Sequence, residues 1–228
     1  VIPGLADLVD AHRNATPSGA QVRAHVHQIP TRGYDLLLGL RRPHHWSVLR
    51  PRALDATVNS LLRTWAAIIV DADSDAEAES LGGSADVERR NGLTRRALAV
   101  ASRVVVVGQP GTKGLFSLAN LVHELIDAGA KPGIIVPVVN GAPRGPIHRA
   151  ELVRAFTALM STDVVLATAG PTFVGHHRRL DASHRDVTRF PEKLIDEVGP
   201  LRLLGGPPTS AEPVAVAPGS LGAWEPTS

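Results

Sequence analysis

Apolar positions recur at helical spacing from Gly4 to Arg13, where Leu5, Leu8 and Val9 define one face. Val22, Ala24 and Val26 then alternate with polar residues, the pattern of a half-buried strand. Tyr34 to Leu40 is a second strand candidate, ended by Arg41-Arg42-Pro43. Pro51 opens a helix running to about Trp65, with Leu54, Val58, Leu61 and Leu62 on one face. Ala67 to Val70 follows as an apolar strand.

Beyond this point the pattern becomes regular. Helices are predicted over Asp86 to Ala101, Leu115 to Ala128 (closing on Gly129), Arg149 to Met160 and Pro191 to Val198. Between them lie the apolar runs Val104 to Val107, Ile134 to Val139 and Val164 to Ala167. Fully apolar strands separated by helices imply βαβ units with right-handed crossovers. The expected fold is therefore α/β, a mostly parallel sheet with helices on both faces. Residues 1–204 read as one partial domain. From about Gly205 the chain turns to Pro, Gly, Ser and Ala without core periodicity, so residues 205–228 are expected to be a disordered tail.

Composition narrows the class. The 228 residues are 43% hydrophobic, enough for one sizeable core. No Cys is present, which removes disulfides and thiolate metal sites and fits a reducing cytoplasm. No apolar run is long enough to span a bilayer, no signal segment opens the chain, and no amphipathic anchor is visible. The start at Val1, directly on a helical pattern, is read as a missing N-terminal piece. A net charge of +2 is too small to imply nucleic acid by itself. Two basic stretches, Arg41 to Arg52 and His176 to Arg189, read first as solvated surface.

Ligands of parallel α/β sheets bind outside the carboxyl ends of the strands. Four such ends can be read: Asp71 to Asp75, Gly108 to Gly114, Asn140 to Arg144, and Thr168 to Pro171. Asp71, directly after an apolar run, has the placement of a carboxylate that orients the water shell of a phosphate-bound Mg²⁺, with Asp73 beside it. A helix cap or turn residue is the plain structural alternative. The run Asp71, Asp73, Asp75 is not a calcium loop, because Ala76 replaces the turn glycine and Gly82 the bidentate Glu.

Gly108-Gln109-Pro110-Gly111-Thr112-Lys113-Gly114 has the outline of a phosphate cradle, yet Gly114 and Leu115 follow Lys113 where a Ser/Thr hydroxyl is needed. A tight strand-to-helix turn explains these glycines better. Asn140 carries both donors and an acceptor suited to a nucleobase edge, or else is a turn residue before Gly141. The pairs His44/His45 and His176/His177 lack the further ligands of a metal site, and no Gly-x-Ser-x-Gly elbow exists.

Trp65 to Asp71, Asp86 to Gly111 and Gly133 to Arg144 together resemble the later half of MinD/ParA-like P-loop ATPases. The stretches Pro3 to Val9, Arg32 to Arg41 and Asn140 to Arg144 resemble the CpaE/TadZ-like branch, which includes actinobacterial septum-site-determining proteins. The resemblance covers about Val1 to Glu197. It implies a SIMIBI-type fold, incomplete here, and ATP-controlled dimers that position the division septum or a pilus or secretion assembly. By matching position it makes Asp71 the switch carboxylate holding Mg²⁺ through water, and places Asn140, Pro143 and Arg144 on the adenine side. The family's first strand and phosphate loop have no counterpart, so this chain alone is not expected to hydrolyse ATP. A partner-binding scaffold of the same fold is the competing reading. A DNA-binding ParA-like protein, using the two basic stretches, is the third.

Overall fold

A computed structural model describes residues 3–40, 49–72, 85–168, 170–177, 180 and 192–198. The N-terminal part is helical around a small hairpin. Helix α1 (Leu5–Asn14) starts where the Gly4 amide donates to Asp7 Oδ2 at 2.8 Å. Helix α2 (Gly19–Arg23) carries a reciprocal capping box, Ser18 N–H to Gln21 Oε1 and Gln21 N–H to Ser18 Oγ. Strands β1 (His27–Ile29) and β2 (Tyr34–Leu36) pair antiparallel. Helix α3 (Pro51–Thr64), opened by Pro51, packs Ala53 and Leu54 against Leu5, Val9 and Leu49.

The expected strand over Val22 to Val26 is thus corrected. Ser18 and Gln21 cap a helical turn there, and local capping outweighs a three-residue alternation. Tyr34 to Leu40 is a strand only as far as Leu36.

Helix α4 (Ala85–Val100) leads into β3 (Val104–Gly108), α5 (Thr112–Asp127), β4 (Ile135–Ala142), α6 (Pro146–Leu159), α7 (Thr162–Ala167), β5 (Thr172–Gly175) and α8 (Glu192–Val198). The sheet has the order β3-β4-β5 and is parallel throughout, with Val105 opposite Val136 and Val139 opposite Phe173. Helix α5 fills the main core with Leu115, Leu118, Ala119, Val122 and Leu125, set against Val106, Ile135, Val139 and Phe156. Each of these Leu, Val, Ile and Phe side chains, fully buried, contributes roughly 1.5–3 kcal/mol. Leu194 and Val198 of α8 pack on Val138 and Val174, so helices cover both faces. This much of the α/β expectation is observed. Pro137 withdraws one ladder donor from the middle strand, an uncommon position for proline.

Two strand expectations fail. Val164 to Ala167 lies in α7, and the next strand is Thr172–Gly175. A short apolar run does not by its period distinguish a strand from a buried helical turn. Ala67 to Val70 forms no strand either; Ile69 is 82% exposed and Val70 50%. Apolar composition without a ladder partner does not make a strand. Consequently only the runs ending at Val107 and Val139, of the four expected, bring their carboxyl ends to one edge. Residues 205–228, read as a tail, lie outside the described residues.

Candidate functional site

Three chain segments meet at the carboxyl edge of the parallel sheet. After β3 comes Gln109-Pro110-Gly111, where Gly111 has φ 105° and caps α5. Gly114 passes against the Gln109 carbonyl so closely that no Cβ fits between them. A Cβ on Gly108 would stand 2.9 Å from that of Leu118. These glycines make a tight strand-to-helix turn, with Lys113 exposed on its outside.

The second segment is the end of β4. Asn140 is exposed opposite Val174, and Gly141 takes φ 74° close to the Pro110 ring. Pro143 is half-buried and Arg144 exposed. Arg149 of α6 fixes this loop by donating from Nε to the Pro143 carbonyl at 2.8 Å, its guanidinium 5.5 Å from the Phe173 ring. The third segment is the end of β5. Glu197 of α8 accepts from the Gly175 amide at 2.7 Å and contacts His177 Nε2 at 3.0 Å. The Gly175 amide, then the His177 hydrogen bond, hold the Glu197 carboxyl below its usual value, with Arg149 adding to the effect.

Asn140, Pro143 and Arg144 therefore share one edge with the β3–α5 turn. Asp71 does not join them as a strand-end residue; it is exposed at the end of the unpaired run. Asp73 lies outside the described residues, as do His44, His45 and most of both basic stretches. Among the described residues no three acidic or imidazole side chains gather as a metal site. Among the described residues this edge does not include the fixed carboxylates that a hard cation needs beside phosphates. His176 is exposed, whereas His177 is bound to Glu197 rather than poised as a ligand.

Arg149 and Glu197 escaped the sequence reading, and His177 was weighed there only as a metal ligand. His177 follows a strand end, but β5 was placed eight residues too early, so its position at the sheet edge was hidden. No family model, curated protein or solved structure matches the chain. No helix among the described residues is long and apolar enough to cross a membrane.

Proposed function

We propose that the chain is the base-side, partner-binding part of a MinD/ParA-like, ATPase-derived spatial regulator that positions a division septum or a pilus or secretion assembly. The observation that carries this reading is the carboxyl edge of β3-β4-β5. There the Pro110 turn and the Asn140–Arg144 loop lie side by side, and Arg149 braces the loop. A side-chain amide at such an edge supplies paired donor and acceptor for a nucleobase, and the neighbouring backbone supplies a wall. Asn140, Pro143 and Arg144 take that role, with ATP as the nucleotide. The grip on phosphates and Mg²⁺ is not built by the described residues, so affinity from this edge alone is low.

The scaffold form of this reading is favoured by one observation. Asp71, the residue expected to hold Mg²⁺, stands off the sheet on an exposed run. Function then rests on contacts with the positioned assembly and with a second copy of the chain in a dimer, not on turnover. Localisation in the cytoplasm, where such assemblies are recruited, belongs to the same proposal.

Amide chemical-shift mapping with adenosine and MgATP tests the nucleotide part. Shifts confined to Gln109–Gly111 and Asn140–Arg144, reduced by Asn140→Ala and weaker with MgGTP, support it. Shifts elsewhere, or equal responses to both bases, remove the nucleotide role. A fluorescent fusion that stays diffuse at every stage of division and secretion removes the positioning role.

A further inference from the structure

Away from the sheet, a cleft of about 330 Å³ opens between α2 and α3. Its walls include Gly19, Val22, Arg23, Ser60, Arg63 and Thr64. That volume stands at the lower end of small-ligand sites. We propose that this cleft binds a small phosphate monoester, its phosphate held by the Arg23 and Arg63 guanidiniums.

Two arginines against one carboxylate leave an excess of positive charge around the cleft. Arg63 has no hydrogen-bond or carboxylate partner among the described residues. Arg23 is preset: Nη2 donates to the Thr64 carbonyl at 2.9 Å, and the guanidinium lies 5.0 Å from the Trp65 ring. Among the described residues Asp35 is the one carboxylate in contact with a wall residue, 3.8 Å from Arg23, and it is held at 2.8 Å by Trp65 Nε1–H. Arg13 of α1 is spent on Asp10 at 2.9 Å. A planar guanidinium offers paired donors that match two phosphate oxygens, and a preset fork loses less entropy on binding.

His12 reports the field from behind the wall. Its Nε2 stands 2.9 Å from Ser60 Oγ, and that hydroxyl already donates to the Thr57 carbonyl at 2.8 Å. With the hydroxyl proton committed, Ser60 can only accept, so His12 carries its proton on Nε2. Burial holds its titration below the ordinary 6.5, and the positive charges of Arg63 and His25 push it further down. An anion placed between Arg23 and Arg63 reverses the charge contribution. The cleft thus contains its own indicator.

The experiment is an NMR titration of the 228-residue chain with glycerol 3-phosphate and with inorganic phosphate, reading the His12 ring and Trp65 indole signals. Glycerol and chloride at equal ionic strength are the controls. Saturable binding with a Kd of roughly 1 mM or tighter, accompanied by an upward move of the His12 titration, is the expected result. Arg63→Gln is expected to weaken binding about tenfold, with Arg63→Lys intermediate because it keeps charge but loses the fork. A response that never saturates, that chloride reproduces, or that persists unchanged in Arg63→Gln overturns the site. Tighter binding of inorganic phosphate than of the ester shows a bare anion site and overturns the monoester assignment.

Discussion

At Gly114 the first turn of α5 runs against the Gln109 carbonyl, leaving no room for a side chain. Gly114→Ala must push apart two backbone segments, so a loss of about 1–3 kcal/mol is expected in urea unfolding. Two titrating residues give the protein a stepwise acid sensitivity. His12 titrates lower in the folded chain than in the unfolded one, because burial and two nearby cations oppose its charge. The unfolded chain therefore binds that proton more readily, and stability falls as pH drops below 6.5. Glu197 is also lowered on folding, by the Gly175 amide and His177, so its contribution is present above 4.5 and lost below it. Urea midpoints measured against pH should show both windows, with His12→Gln flattening the upper and Glu197→Gln the lower. A His12→Gln profile that keeps the upper step would assign that step elsewhere.

Among the elements, α5 dominates the core and the Ala67–Val70 run is peripheral. Leu118→Ala removes a buried side chain from the main cluster and should cost about 2–5 kcal/mol. Asp71→Asn, on the exposed run, should stay within about 0.5 kcal/mol of the parent by the same unfolding assay. A larger loss there would show Asp71 to be a structural cap. The contrast also explains what was legible in the sequence. Helices α1, α3 and α5 announce themselves through apolar periods and through Pro51 and Gly129 at their ends. So do β3 and β4, whose valine and isoleucine runs are bounded by turn residues. Val164–Ala167 and Ala67–Val70 carry equally apolar letters, but their state depends on neighbours that period cannot reveal. The position of Asn140 at the end of the β4 run was legible because that run is long and apolar. Glu197 and Arg149 meet the edge only through tertiary packing of α8 and α6, for which local sequence holds no signal.

Over the whole molecule, two apolar clusters are linked through α4, whose Leu93 packs against the N-terminal cluster while Leu98 packs against the main one. Arg96 on the same helix stands 2.9 Å from Asp55 of α3, although its buried Nε–H lacks the angle of a hydrogen bond. The N-terminal cluster is the smaller and is expected to open first. Leu5→Ala should speed hydrogen exchange in α1 and α3 while leaving β4 and α5 amides at the rate of global unfolding. Equal acceleration everywhere would mean a single cooperative unit. The outer side of β3 has a different kind of consequence. Among the described residues it pairs only with β4, and Val105 and Val107 are 36% and 59% exposed. An uncharged valine ribbon whose outer edge meets no ladder partner among the described residues is a template for another chain. In concentrated solution it governs shelf life rather than fold: on warming, molecules should join ribbon to ribbon and scatter light before they lose their helices. Val105→Lys places a charge on that ribbon, and turbidity should then appear only after the circular-dichroism transition.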